Sequence, residues 1–93
     1  MKGEIKVNEK KFSALARRLV AEHSNEVNPN HQITPDDVYI VWMCKTLQNS
    51  KAMLSTPVPD TRYYEVTYNG DKGEAYMDTY VKEKNDCIKV MEG

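Results

Sequence analysis

The stretch VYIVWMCKTLQNSKAMLST, Val38 to Thr56, decides how the rest of the chain is read. Seven apolar residues, Val38 to Cys44, give way to Lys45, Thr46, Gln48, Asn49, Ser50 and Lys51, and apolar character returns at Ala52, Met53 and Leu54. Val38, Tyr39, Ile40, Val41 and Trp42 are β-branched or aromatic, and such a run loses more rotamer freedom in a helix than on a pleated surface. It reads as a strand. Thr34-Pro35-Asp36-Asp37 just before it has the form of a helix start, and the strand-forming run limits that helix to one turn. Val38, Ile40, Trp42 and Cys44 alternate with Tyr39, Val41 and Met43, so both sides are apolar, the pattern of a central strand or of one covered on both faces. On that reading Trp42 belongs to the core. Gln48-Asn49-Ser50-Lys51 holds the turn residues, and Ala52 to Thr56 returns as a shorter strand. Pro57 and Pro59 cannot donate ladder hydrogen bonds and close it.

Upstream lies NEKKFSALARRLVAEHSN, in which Phe12, Leu15, Ala16, Leu19, Val20 and His23 recur at helical spacing on one face. Lys10, Arg17, Ala21 and Ser24 fall on the opposite side. Asn8 suits the N-cap, Glu9 suits the positive end of the helix dipole, and Ser24-Asn25 can end the helix. EVNPNHQITPDD follows as a loop. Downstream, Tyr64, Val66 and Tyr68 alternate with Tyr63, Glu65 and Thr67, and Asn69-Gly70 is the commonest dipeptide of tight hairpin turns, with Gly73 as a second position tolerant of positive φ. The return limb, Ala75 to Lys82, alternates as a strand does, although Met77, Tyr80, Val81, Lys84 and Ile88 also fit a helical stripe. Asp86 to Val90 reads as a last short strand. The expectation is an α+β fold: one N-terminal amphipathic helix packed on an antiparallel meander sheet of about four strands, in a single domain spanning residues 1–93.

Ninety-three residues suit one modest core. A hydrophobic fraction of 40% and a charged fraction of 29% are ordinary for a globular chain. The net charge of −1 gives no overall attraction to nucleic-acid phosphates, so any such binding needs a local basic face. The apolar run Val38 to Cys44 is too short to span a bilayer, and no signal-peptide pattern stands at the N-terminus. Cys44 and Cys87 sit in apolar contexts and read as buried free thiols of a cytoplasmic protein.

Catalysis finds little to work with. His23, His31, Cys44 and Cys87 have suitable atoms for a metal but none of the close pairs that make a zinc site; His23 on the helix stripe reads as a partly buried histidine. No nucleophile has a neighbouring base and orienting group. Pro59-Asp60 precedes a strand without the acid-x-lysine that nuclease chemistry needs, and Gly70 and Gly73 flank a hairpin turn, not a phosphate loop. The expectation is a non-enzyme with no cofactor and no metal. Binding is better provided for. Five of the six tyrosines lie between Tyr63 and Tyr80, and Tyr63, Tyr76 and Tyr80 cannot all be buried by one helix. Tyrosine anchors protein interfaces; beside Lys45, Lys51, Lys72 and Lys82 it can also stack bases. Glu65, Asp71, Glu74 and Asp78 in the same hairpin oppose the nucleic-acid reading, and tyrosine is also simply a good strand residue. The candidate contact residues are Lys45, Gln48, Asn49 and Lys51 at the polar tip and Tyr63, Tyr76 and Tyr80 on the sheet.

DDVYIVW, CKTLQNSKAMLST and YYEVTYNGDKGEAYMDTY resemble a family of small uncharacterised proteins from phages and prophages of Gram-positive bacteria, over roughly the C-terminal two-thirds of the chain. The resemblance implies no activity, cofactor or catalytic residue. It implies a setting in which short single-domain proteins bind a host factor and block it, factors of CRISPR immunity included. The expected function is therefore a phage accessory protein that binds a host protein in the host cytoplasm; the alternative is binding of single-stranded nucleic acid or a nucleotide.

Overall fold

The computed structural model describes residues 9–91. Helix α1 spans Glu9–Val27, Pro35–Asp37 makes a single 3₁₀ turn, and four strands follow: β1 Tyr39–Thr46, β2 Asn49–Ser55, β3 Arg62–Asn69 and β4 Glu74–Val81. They form one antiparallel sheet in the order β1-β2-β3-β4. The expected α+β meander is what forms. The N-cap assigned to Asn8 lies outside the described residues.

α1 lies across β2 and β3, the two central strands. Its buried face is Phe12, Ala16, Val20, Ala21 and Ser24, rotated from the expected stripe; Leu15, Leu19 and His23 are only half-buried. Small side chains let the helix backbone approach the sheet, so close packing selects Ala16, Ala21 and Ser24 over the bulkier leucines. Arg17, expected to point to water, is half-buried, and its Nε is covered without a hydrogen-bond partner. The helix also continues past Ser24-Asn25. Asn25 pins the following loop instead, donating from Nδ2 to the Ile33 carbonyl (2.8 Å) and accepting from the Ile33 N–H (2.7 Å).

Opposite α1, the sheet contributes Ala52, Leu54, Tyr64 and Val66, all fully buried, joined by Val38 from the entry to β1. The ring of His23 meets Tyr64 edge-on, centroids 5.7 Å apart. The Tyr64 and Ser24 hydroxyls share this interior without closing a well-formed hydrogen bond. Burial raises the Tyr64 pKa above the usual phenol value, the Asp60 charge adds to it, and Arg62 and Ser24 oppose it.

β1 departs from its expected pattern. Ile40 pairs with Leu54 and Trp42 with Met53, so Val41 is an extra residue, a β-bulge. Before the bulge Val38 and Ile40 face the helix; after it Met43 does, and Trp42 and Cys44 turn to the other side. Trp42 is therefore not a core residue: it is 41% exposed. Nor is β1 a central strand, since it is one edge of the sheet. Both cysteines are exposed free thiols, not buried ones: the bulge turns Cys44 outward, and Cys87 lies in residues 82–91, which carry no strand. The last strand expected at Asp86 to Val90 does not form.

The turns also differ in place. Leu47 and Gln48 reverse the chain between β1 and β2, with Leu47 at φ 53, while Asn49, Ser50 and Lys51 already belong to β2. The β3–β4 connection is a four-residue loop, Gly70 to Gly73. The left-handed position is Gly73, at φ 63, and the Asn69 side chain accepts from the Asp71 and Lys72 N–H groups. Gly70 donates its N–H to the Gln48 carbonyl (2.9 Å), and any Cβ there would collide with that oxygen. The two hairpin tips are thus joined. At the sheet's other end, Asp60 accepts hydrogen bonds from Asn28 Nδ2 (2.7 Å), Arg62 Nη1 (3.0 Å) and the Arg62 N–H (3.1 Å), tying the end of α1 to the start of β3. Partial burial pushes the Asp60 pKa up, but those hydrogen bonds and the Arg62 charge outweigh it and hold the carboxyl below its ordinary value.

Candidate functional site

Residues paired across antiparallel strands project to the same face, so the register lays out the side of the sheet that α1 does not cover. One row is Tyr39, Ser55, Tyr63 and Tyr80; the next is Trp42, Met53, Glu65 and Asp78; the third is Cys44, Lys51, Thr67 and Tyr76; the last is Thr46, Asn49, Asn69 and Glu74. Antiparallel sheets commonly leave one face to water, and that face is then polar. This one mixes polar side chains with five aromatic ones, Tyr39, Trp42, Tyr63, Tyr76 and Tyr80. Tyr39, Trp42, Tyr76 and Tyr80 are each about half exposed, and no described residue packs over them.

The carboxylates of this face engage the phenols. Tyr76 Oη donates to Glu74 Oε1 (2.7 Å), and Tyr80 Oη approaches Glu65 Oε1 at 3.5 Å. The phenol pKa of Tyr76 is raised by its hydrogen bond to Glu74 and by that residue's charge. That of Tyr80 is raised chiefly by the Glu65 charge, with Asp78 adding to it. Glu65 also stands 3.9 Å from Lys51 Nζ, a long ion pair. Asp78 lies directly opposite Glu65, a like-charge cross-strand pair that costs the sheet stability.

Of the residues expected at the site, Asn49, Lys51, Tyr63, Tyr76 and Tyr80 come together on this face. Gln48 does not: it is half-buried in the turn, its carbonyl held by Gly70. Lys45 is exposed but pairs with Ser50, which places it on the helix side of the sheet. The polar tip and the tyrosines are thus not two surfaces, because Lys51 and Asn49 already stand in the tyrosine rows. Tyr39, Trp42, Met53 and Glu65 were missed as site residues. Tyr39 and Trp42 sit in a run apolar on both faces, where alternation carries no sign of which side is wet. For Met53 and Glu65 the signal was present: Glu65 alternates in phase with Tyr63, and Met53 with Lys51.

Among the described residues no three His, Cys, Asp or Glu side chains converge as metal ligands. An open depression beside Cys44 is lined by Thr46, Asn49, Lys51 and Thr67, which offer no base next to the thiol. No described helix is long and apolar enough to cross a membrane. The arrangement offers aromatic surface, phenol hydroxyls and carboxylates.

Helix, sheet and open face together make this a one-helix, four-strand α+β protein whose uncovered sheet face carries exposed aromatic side chains. A family model, described as a family of unknown function (DUF6275), matches residues 13–90, and the chain belongs to that family. No curated protein and no solved structure matches it.

Proposed function

We propose that this is a non-enzymatic binding protein that uses the uncovered face of its sheet to dock on another protein and block it. The observation that carries the reading is the concentration of half-exposed aromatic side chains, Tyr39, Trp42, Tyr76 and Tyr80, among the polar residues of a sheet face open to water. Aromatic residues are the side chains most enriched at protein interfaces and at their energetic centres. The resemblance of the strand segments to phage and prophage proteins extends the proposal: the protein is a phage accessory factor, the partner is a host protein, a defence factor such as a CRISPR effector among the candidates, and the encounter takes place in the host cytoplasm.

Binding of single-stranded nucleic acid is the second reading. The same aromatics and Lys51 support it by offering stacking surface beside a cation. Three carboxylates on the face, Glu65, Glu74 and Asp78, oppose it.

The test is capture of a partner from a Gram-positive host lysate by the intact protein and by Trp42→Ser and Tyr80→Ser variants, with melting temperatures measured alongside. The expected result is one protein retained in stoichiometric amount by the parent and lost by both variants, whose folding is unchanged. Equal capture by all three would remove the sheet face as the binding surface.

A further inference from the structure

The proposed docking face carries a feature that stacking alone does not account for. Its centre is not apolar: Glu65 and Asp78 stand opposite each other between Met53 and the edge of β4, with Tyr63 and Tyr80 in the row on one side and Tyr76 in the row on the other. A like-charge pair facing across two strands is unfavourable for folding. A long contact from Lys51 and the Tyr80 hydroxyl, 3.5 Å from Glu65 Oε1, partly offset it, and no ion pair reaches Asp78 among the described residues. Across the four strands the face holds three carboxylates, Glu65, Glu74 and Asp78, against one lysine, Lys51, with Lys82 just beyond β4. Phenol and indole faces attract cations through their ring quadrupoles. An arginine side chain satisfies both demands at once, because its planar guanidinium stacks on an aromatic ring while its N–H groups meet a carboxylate.

We infer that the partner presents an arginine-bearing basic segment to this face, its guanidinium groups lying against Tyr63, Tyr80 and Trp42 and pairing with Glu65 and Asp78. This rests on the docking reading above and adds the chemistry of what docks. It also states why the face should reject nucleic acid: phosphates would meet the same two carboxylates.

Trp42 is the only tryptophan of the chain and stands in the same row as Glu65 and Asp78, so its fluorescence reports on binding at this face. The experiment titrates the full chain with nona-arginine, nona-lysine, nona-glutamate and an oligothymidine at low salt. Parent protein is compared with Glu65→Gln/Asp78→Asn and with Glu22→Gln/Glu26→Gln, the same charge change on the exposed side of α1. Nona-arginine should change the Trp42 emission saturably, nona-lysine should bind several-fold more weakly, and the other two probes should not bind. The sheet variant should lose about tenfold in affinity, the scale of two modest ion pairs, and the helix variant should lose none. Asp78→Asn alone, which relieves repulsion, keeps the test open if the double variant folds poorly. Equal affinities in parent and sheet variant, equal loss in the helix variant, or equal binding of the two basic peptides would overturn the inference. So would oligothymidine binding that strengthens when the carboxylates are neutralised, or self-association that the sheet variant abolishes. If captured host protein is lost on Trp42→Ser but kept by Glu65→Gln/Asp78→Asn, the cationic chemistry fails while the docking face stands.

Discussion

The two faces of this sheet are built by the same four strands and share one alternation, yet they do opposite things. The face under α1 brings Ile40, Leu54 and Tyr64 together in one row, and Met43, Ala52, Val66 and Met77 in the next. Its central members are sealed: Leu54, Tyr64, Ala52 and Val66 show no exposure. The other face brings together residues as large, Trp42, Met53, Tyr63 and Tyr80, and leaves Trp42 and Tyr80 about half exposed and Met53 and Tyr63 partly so, with carboxylates among them. Side-chain size is therefore not what separates core from surface here. What separates them is a covering layer. The aromatic side has none, and the carboxylates within it would make a dry interface costly unless the covering partner brought the opposite charge. A buried face tolerates no such groups; on a face that a partner covers they would bear on the choice of that partner.

The comparison breaks first where burial is deepest. Leu54→Ala removes a fully buried side chain beneath α1 and should cost about 2–5 kcal/mol in chemical denaturation. A loss below about 1 kcal/mol would mean that the covered face is not the core. Leu19→Ala should cost less than Leu54→Ala, because Leu19 is only half-buried.

Asp60 comes next, as the tie that holds α1 in place over one face only. Asp60→Ala leaves the Asn28 amide and the Arg62 guanidinium without their acceptor and should cost about 1.5–3 kcal/mol, the range for hydrogen bonds to a charged group. The pH dependence has a definite sign. The folded pKa is lowered, so the stabilisation is fully present above the unfolded carboxyl value of about 3.9 and is lost as pH falls through the folded value. Melting curves of parent and Asp60→Asn should therefore converge in acid and diverge toward neutrality. A constant gap across pH would place the effect in packing instead.

How far this contrast was legible beforehand depends on what each signal can carry. The strand periods of β2 and β3 are unambiguous because polar residues mark the phase: Lys51 and Glu65 stand on the same side as Tyr63, and Leu54 and Tyr64 on the other. β1 carries no such mark. Val41, Trp42 and Met43 are all apolar, so one inserted residue leaves the pattern unchanged while moving Trp42 and Cys44 to the opposite face. The helix misled for a different reason. Hydrophobicity ranks Leu15 and Leu19 above Ala21 and Ser24, but a helix lying close on a flat sheet is chosen by volume, and the small residues won. At the first turn, Gln48-Asn49-Ser50 has the turn chemistry, yet Leu47 and Gln48 make the turn, since the pairing of Thr46 with Asn49 and Asn49 with Asn69 fixes the register first. The tyrosines of β3 and β4 were legible as surface. The indole beside them was not.

Leu47 offers a smaller effect, with a gain in place of a loss. A branched apolar residue at φ 53 is sterically unfavourable, and this one is 89% exposed at the tip of the hairpin. Leu47→Asn relieves the backbone without adding the chain entropy of glycine, and should raise stability by about 0.5–1 kcal/mol. If partner capture falls at the same time, the interface extends from the open face over the tip.

The smallest change is the one that speaks most directly to the difference between the faces. Asp78→Asn keeps the side chain's shape and removes one of two facing negative charges. On a surface shaped only for folding, this pair would have no reason to exist, and its relief should raise stability by about 0.2–0.5 kcal/mol, at the low end of cross-strand pair energies. Added salt should shrink the gain, because both carboxylates are within reach of solvent ions. The Tyr80 phenol should titrate at lower pH in the variant, since the Asp78 charge is one of the causes that raise it; spectrophotometric titration against a Tyr80→Phe reference isolates that group. A loss of stability in Asp78→Asn would show that the carboxylate is held by a favourable contact on the sheet itself. The repulsion would then be absent, and the two faces would differ in their covering alone.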